Sequence, residues 1–168
     1  MTKVYRSTIE DIVVIEPKVF HDSRGYFLES FRNSLLEDIG YKVSFVQENQ
    51  VKSYKGTLRG LHYQLKSPQG KLVWVSQGSV LDIAVDIRLN SPTFSKCFSI
   101  ILDNKKHTRV YIPPGFAHGF MTLEKENYVL YSCTKYRSAQ SEESIKFNDK
   151  NLKIRWPLKK PILSKRDK

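Results

Sequence analysis

The sequence has few cysteines and no long apolar segment. Only Cys97 and Cys133 occur among its 168 residues, which is too few for a disulfide framework, and no Cys-x-x-Cys pair indicates a zinc site. No stretch approaches the ~18 consecutive apolar residues that a membrane helix needs. The first residues also lack the apolar centre of a signal peptide. We therefore expect a cytoplasmic protein with reduced thiols and no membrane partner.

Acidic residues are also scarce relative to basic ones. The chain has 17 Asp and Glu against 28 Lys and Arg, a formal net charge of +11, and such an excess invites a nucleic-acid interpretation. However, the segment Lys146–Lys168 alone holds nine basic and two acidic residues. No basic-aromatic motif of a known nucleic-acid-binding module accompanies it. A solvated basic face is the better interpretation, and we expect no nucleic-acid partner.

The chain does contain a repeated alternation of apolar and polar residues, which is typical of strands with one buried face. Between Val80 and Arg88, for example, every second residue from Leu81 to Ile87 is aliphatic. Similar patterns predict strands at residues 12–15, 25–31, 71–75, 98–102, 109–112 and 128–134.

Helical signals are weak by comparison. One short helix is predicted after Asn33 or Ser34, with an apolar stripe and an end at Gly40, and a second could lie within residues 148–152. No linker or repeat divides the chain, so residues 1–168 are expected to form a single domain. Many short strands with almost no helix predict an all-β antiparallel sandwich or barrel.

Histidine is scarce, and two of the four histidines have unusual neighbours. His62 lies three residues after Arg59, and His118 follows a Pro-Pro-Gly turn. A single histidine among apolar residues is more often a hydrogen-bonded core residue than a catalyst. Jelly-roll barrels often bind metals through several histidines and a carboxylate, but Gln64 occupies the next same-face position after His62 and no Glu follows nearby. We therefore expect the interior of such a barrel to hold no metal. A metal-dependent barrel is the alternative.

The remaining polar residues fit proton-transfer chemistry. A neutral imidazole, with an ordinary pKa near ~6.5, accepts a proton from an activated carbon, and a carboxylate improves it by orienting its other nitrogen. A tyrosine can donate a proton from the opposite side, and a lysine can stabilise an enolate oxygen. Tyr131, Lys71 and several aspartates are available. Their spacing along the chain does not establish that they converge.

A series of ten ordered motifs is more specific. They are Phe20–Ser30, Gln47–Asn49, Leu58–Gln64, Gln69–Val73, Asp82–Arg88, Ser91–Phe94, Ile112–Phe120, Tyr131, Ile154–Pro157 and Leu163–Asp167. In this order the chain closely resembles the dTDP-4-dehydrorhamnose 3,5-epimerase family. The resemblance covers nearly the whole sequence. It implies a cupin-type jelly-roll barrel without metal or cofactor, and a homodimer that exchanges N-terminal strands between subunits.

The resemblance also implies a reaction and its catalytic residues. The expected substrate is a nucleotide-diphospho-4-keto-6-deoxyhexose, and the expected reaction inverts C3 and C5 beside the keto group on the route to dTDP-L-rhamnose. His62 matches the general base and Asp167 the carboxylate that orients it. Tyr131 matches the opposing acid, and Lys71 matches the residue that supports the enolate at O4. Packing of Ile162 and Leu163 is expected to hold Asp167 in place.

The resemblance implies binding residues in the same way. Arg24 and Arg59 match positions that meet the diphosphate or nucleotide. The other matches are polar contacts at Glu29, Gln47 and Asn49, aromatic contacts near the base at Phe27 and Tyr136, and a sugar-pocket residue at His118.

Alternative interpretations stay open at this level. For single residues, Arg59 could instead pair with Asp82 or Asp86, and Tyr136 could simply fill the mouth of the barrel. For the whole chain, the alternatives are a 3-only or 5-only epimerase for another 6-deoxysugar and a non-catalytic barrel that binds sugar nucleotides.

Overall fold

The computed structural model describes all 168 residues and arranges most of the chain as two facing antiparallel sheets. In the six-stranded sheet the strand order is β1-β2-β10-β7-β12-β5. Its strands are β1 (Lys3–Arg6), β2 (Val13–Glu16), β5 (Gln47–Tyr54), β7 (Lys71–Gln77), β10 (Arg109–Ile112) and β12 (Glu126–Cys133). The insertion of β10 between β2 and β7 requires long crossover connections, which are typical of a jelly roll.

The second sheet has five strands in the order β13-β6-β11-β8-β9. Its strands are β6 (Leu58–Gln64), β8 (Ser79–Asp86), β9 (Cys97–Asp103), β11 (Phe116–Thr122) and β13 (Glu142–Ser144). A separate hairpin pairs β3 (Val19–Asp22) with β4 (Gly25–Leu28). The all-β jelly-roll prediction is confirmed.

The main apolar core lies between the two sheets. Val73, Val110 and Val129 from the six-stranded sheet are fully buried in one cluster with Ala84 and Phe120 from the five-stranded sheet. Burial of such side chains stabilises the fold by about 1.5–3 kcal/mol each. Along β7, β12 and β5, the side chains that face the other sheet are apolar within the core and mostly polar beyond its end. The alternation that builds the core therefore also directs polar side chains into the space between the sheets.

Two predicted local features differ from the structure. The predicted helix near residue 33 is confirmed but short, as α1 (Ser34–Glu37), and the chain after it turns back at Gly40, whose φ is +94°. The second helix predicted within 148–152 is wrong, because that segment forms turns. Asp149 accepts a hydrogen bond from the Asn151 backbone N–H at 2.8 Å, a local contact that favours a turn over a helix.

Apolar side chains also cover parts of both outer faces. Leu36 from α1 packs on Leu72 and Tyr111 outside the six-stranded sheet. Ile154 and Trp156 from the C-terminal segment pack outside the five-stranded sheet. None of the helical structure is long and apolar enough to cross a membrane.

Candidate active site

A polar cavity of about 270 Å³ lies between the two sheets, beyond the end of the apolar core. Each sheet forms one wall. The residues from the six-stranded sheet are Asn49, Lys71, Tyr131 and Cys133, and those from the five-stranded sheet are Arg59, His62, His118 and Glu142. The C-terminal segment completes the cavity with Ser164, Arg166 and Asp167. Seven of the twelve predicted site residues therefore meet in one cavity.

His62 and Asp167 form a hydrogen-bonded pair in the cavity wall. Nε2 of His62 lies 2.7 Å from Oδ1 of Asp167, whose other oxygen, Oδ2, accepts a hydrogen bond from the Ser164 hydroxyl at 2.7 Å. Because a carboxylate only accepts hydrogen bonds, Nε2 carries the imidazole proton and Nδ1 keeps a free lone pair. Burial lowers the pKa of His62, and the Asp167 carboxylate only partly offsets that effect. The imidazole is therefore neutral and able to accept a proton near pH 7.

The segment that carries Asp167 is held by backbone hydrogen bonds. The Ile162 N–H donates to the Gly56 carbonyl at 2.8 Å, and the Ile162 carbonyl accepts from the Leu58 N–H at 3.0 Å. Ile162 is itself 59% exposed. The expectation that Ile162 and Leu163 hold Asp167 by packing is wrong for Ile162, because backbone hydrogen bonds of Ile162, and not its side chain, attach the segment to the sheet.

Tyr131 and Lys71 lie on the opposite wall. Tyr131 is on β12 and Lys71 on the neighbouring strand β7, and the Lys71 Nζ lies 6.0 Å from the centre of the Tyr131 ring. Burial raises the pKa of Tyr131, so the phenol stays protonated. Burial lowers the pKa of Lys71, and the nearby carboxylates of Glu142 and Asp82 offset that effect only in part. An ammonium group in that situation favours a negative charge formed beside it.

An irregular pairing of β6 and β11 brings Arg59 and His62 onto the same wall. Residues three apart on a regular strand face opposite sides, but the register of these two strands shifts between His118 and Phe120. The backbones also approach closely at Gly60, where an added Cβ would lie 2.6 Å from the His118 carbonyl oxygen. Gly60 has a φ of +111°, a conformation that favours glycine. The glycine thus permits the approach that directs Arg59 and His62 into one cavity.

Arg59 and His118 have partners that decide what each side chain does. Arg59 donates from Nε to the Ser53 hydroxyl at 3.0 Å and pairs with neither Asp82 nor Asp86. Asp82 is instead 2.8 Å from Nε2 of His118. The structural alternative for Arg59 is therefore wrong. His118 is a hydrogen-bonded buried histidine that also lines the cavity.

A charged cluster at the cavity was missed from the sequence. Glu142 on β13 accepts hydrogen bonds from Arg137 at 2.8 Å and from Arg166 at 2.7 Å. Burial raises the pKa of Glu142, but the hydrogen bonds from the two arginines outweigh it and hold that pKa below its usual value. Residues distant in sequence meet here, so no local pattern could reveal the cluster. Cys133 was also missed, although it lies two residues after Tyr131 on the same face of β12 and alternation would have found it.

Five predicted binding residues lie outside this cavity. Arg24 and Phe27 are exposed on the β3–β4 hairpin, and Glu29 follows that hairpin and pairs with Arg32. Gln47 is next to the cavity, where it donates to Asn49 at 2.9 Å, and Tyr136 is 72% exposed. Their predicted contacts with substrate stay predictions. Among the 168 residues, no group of three or more His, Cys, Asp and Glu side chains is arranged to hold a metal ion.

Comparison with known proteins gives the family. Residues 6–168 match the family model described as dTDP-4-dehydrorhamnose 3,5-epimerase. The chain belongs to the dTDP-4-dehydrorhamnose 3,5-epimerase family. A relative of that name from Shigella flexneri is 46% identical over 166 residues, which cover 98% of this chain and 92% of the relative.

Solved structures of the epimerase family agree with this fold. A dTDP-6-deoxy-D-glucose-3,5-epimerase from Legionella pneumophila, in complex with dTDP-4-keto-L-rhamnose, has a TM-score of 0.95 and 44% identity, covering 99% of this chain and 90% of that one. A 3′-monoepimerase from Streptomyces bikiniensis, in complex with dTDP-quinovose, has a TM-score of 0.90 and 32% identity, covering 97% and 84%. Members of one fold family thus differ in the number of carbons that they invert.

Proposed function

We propose that the protein is an isomerase that inverts C3 and C5 of dTDP-4-keto-6-deoxyglucose to form dTDP-4-keto-L-rhamnose, a step in dTDP-L-rhamnose biosynthesis. The observation that carries this proposal is the pairing of two opposed walls in one cavity. One wall holds a carboxylate-bound neutral imidazole, and the other holds a protonated phenol beside a buried ammonium group. Inversion at a carbon requires removal of a proton from one face and its return to the other.

In the first step, His62 acts as the general base. Its Nδ1 lone pair takes the proton from the carbon next to the C4 carbonyl, while the C–H electron pair forms the C=C bond of an enolate and negative charge moves to O4. Asp167 accepts the Nε2 hydrogen bond throughout, which fixes the tautomer and stabilises the imidazolium that forms. The 2.7 Å contact between the two side chains supports these roles.

In the second step, Tyr131 returns a proton to the opposite face of the same carbon. Lys71 stabilises the enolate oxygen between the steps, because its incompletely compensated ammonium group gains a counter-charge only when the enolate forms. The C4 carbonyl re-forms as the proton is delivered. His62 then gives its proton to solvent and Tyr131 takes one up from solvent, which restores both groups. The same two steps at the second carbon complete the double inversion.

The binding residues are assigned by charge and position. Arg59 lines the cavity and supplies a planar guanidinium that suits the diphosphate. Asn49 and His118 line the same cavity and are assigned to the sugar, with Gln47 beside them. We assign Arg24, Phe27 and Glu29 to the nucleotide of the partner subunit's site, since they lie on or next to an exposed hairpin. This assignment requires a homodimer. We also propose that each chain forms a single domain and that the protein is cytoplasmic. Tyr136, also exposed, is assigned to stacking on the base.

A single inversion is the second candidate. It is supported by the similarity to a 3′-monoepimerase, at a TM-score of 0.90. The double inversion is preferred because a relative named for it is 46% identical, against 32% for the monoepimerase.

Solvent-deuterium incorporation tests the proposal. The protein is incubated with dTDP-4-keto-6-deoxyglucose in heavy water, and NMR locates the label in the recovered sugar. We expect deuterium at both C3 and C5. Label at one carbon would support the single epimerase instead, and the absence of label with bound nucleotide would contradict both reactions and favour a non-catalytic binding barrel.

A further inference from the structure

Gln64 is a buried polar residue that takes no part in the proton transfers. It is the last residue of β6, two positions after His62, and is 6% exposed. Both ends of its side-chain amide are used. Oε1 accepts a hydrogen bond from the Ser138 N–H at 2.6 Å, and Nε2 donates to the Ser67 carbonyl at 2.9 Å. Because one end meets a donor and the other an acceptor, the amide fits in only one orientation.

These hydrogen bonds join two loops beside the candidate active site. One loop, residues 65–70, connects β6 to β7, and the other, residues 134–141, connects β12 to β13. The second is called the 134–141 loop below, and it supplies Arg137 to the cavity wall. Nε2 of Gln64 also lies 3.5 Å from the Tyr136 carbonyl oxygen, a longer contact with the same loop. One buried side chain therefore ties the backbone of the 134–141 loop to the end of β6.

The direction of the Tyr136 ring depends on this backbone. Tyr136 is 72% exposed, and within the chain its hydroxyl forms no hydrogen bond and its ring no aromatic contact. The side chain is therefore not held by packing. Its position relative to the cavity is set by the path of the 134–141 loop, and so by the groups that bond the backbone of that loop.

Two other glutamines bond the same loop, but only Gln64 is buried. Gln47 accepts a hydrogen bond from the Arg137 N–H at 2.9 Å, and Gln69 donates one to the Lys135 carbonyl at 2.8 Å. Both of these side chains are partly exposed, so water can take the place of either amide. Loss of the Gln64 amide instead leaves backbone groups unpaired where water has little access, which is more costly.

We propose that Gln64 is a positioning residue, which holds the 134–141 loop so that the Tyr136 ring can stack on the base of the substrate. The proposal rests on the stacking role given to Tyr136 in the proposed function. None of the hydrogen bonds of Gln64 goes to a residue assigned to proton transfer. Loss of the amide should therefore weaken nucleotide binding and leave the chemical steps unchanged, so that KM rises and kcat does not fall.

Gln64→Met is the first variant, because it removes both ends of the amide and keeps a side chain of similar length. We expect the Kd for dTDP, measured by calorimetry, to rise at least about fivefold. The KM for dTDP-4-keto-6-deoxyglucose should rise by a similar factor, with kcat within about threefold of the wild type. Gln77→Met makes the same exchange at an exposed position at the end of β7 and should change neither constant. An unchanged dTDP Kd in Gln64→Met would overturn the proposal, as would a fall in kcat larger than the rise in KM.

A double-mutant cycle shows whether Gln64 acts through Tyr136. Tyr136→Ala should weaken dTDP binding about tenfold, a usual effect of losing one base–aromatic stack. If Gln64 only positions that ring, Gln64→Met should add no more than about twofold in the Tyr136→Ala chain. Single effects that multiply in the double variant would overturn the proposal. So would a Tyr136→Ala chain that binds dTDP as tightly as the wild type.

A second variant replaces Gln64→Met if that chain does not fold. Gln64→Asn keeps the polar amide but is one methylene shorter, so it cannot bond both loops at once. The same loss of dTDP affinity is expected, and an unchanged Kd would overturn the proposal. Exchange at C3 and C5 by the wild type is measured in parallel. Its absence in a protein that binds dTDP contradicts the epimerase reaction and not the role of Gln64.

Discussion

At the scale of single residues, the surroundings of His62 give it a role that its identity alone does not. Two histidines face the cavity, and each contacts a carboxylate at 2.7–2.8 Å. His118 is 6% exposed and bonded to a buried aspartate, whereas His62 retains a partly open ring with a free Nδ1. The sequence could offer both as candidates. Only the fold shows which carboxylate each one meets, because Asp167 is 105 residues from His62.

The pH dependence of the reaction follows from the protonation of His62. The base must be neutral, and burial lowers its pKa below 6.5. We therefore expect no acidic limb in kcat/KM above pH 6.5, and a fall in kcat/KM as the pH decreases through that lowered pKa. In Asp167→Asn the negative charge that raises the pKa of His62 is lost, so the acidic limb moves to still lower pH. The plateau also drops, because the imidazole is no longer held in the required tautomer.

Initial rates between pH 4.5 and 8, with protein stability checked at each pH, measure both effects. An acidic limb above pH 6.5, or an unchanged limb in Asp167→Asn, would contradict the account of the His62–Asp167 pair.

Tyr131 provides a second prediction at this scale. Tyr131→Phe removes only the hydroxyl, and loss of a general acid lowers kcat by about 10²–10⁴-fold. The melting temperature should change little, because the Tyr131 hydroxyl forms no hydrogen bond within the protein. Tyr128→Phe is the matched control, since Tyr128 is on the same strand and contacts Lys52 outside the cavity. Equal rates for Tyr131→Phe and Tyr128→Phe would remove Tyr131 from the mechanism.

At the scale of strands, the sequence predicts those strands in which apolar and polar residues alternate regularly. It does not predict strands that are buried, or polar, on both faces. The predicted strand at 109–112 agrees with β10, and the one at 71–75 lies within β7. The sequence of β11 indicates only a turn and a few apolar residues. All seven of its residues are buried, since the C-terminal segment covers its outer face, so the alternation that marks a strand is missing. The edge strand β5 was missed for the opposite reason, because polar residues dominate both of its faces.

The attachment of the C-terminal segment gives a prediction for an element. Ile162→Pro removes the N–H that donates to the Gly56 carbonyl, which should release the segment and leave Asp167 unable to hold His62. We expect kcat to fall at least tenfold, with far-UV circular dichroism close to that of the wild type. Ile162→Ala keeps the N–H and trims an exposed side chain, so its kcat should stay within about twofold. A similar loss in both variants would assign the attachment to the side chain instead.

At the scale of the whole molecule, the order of motifs along the chain predicts more than any local pattern. It indicates the fold, the family and seven residues that the cavity brings together. The Arg137–Glu142–Arg166 cluster could not be predicted, because its members meet only after β13 and the C-terminal segment pack beside β6. The predicted contacts of Arg24, Phe27 and Glu29 depend on a second copy of the chain, so they stay predictions.

The most direct test of the account is solvent-deuterium exchange by His62→Ala, measured with dTDP-4-keto-6-deoxyglucose in heavy water beside the wild type. One base is assigned to both carbons, so the variant should lose exchange at C3 and at C5 together. Calorimetry should show that it still binds dTDP about as tightly as the wild type, since Arg59 and the other binding residues are intact. Exchange that persists at either carbon, in a variant shown to be folded, would contradict the assignment of His62 as the base.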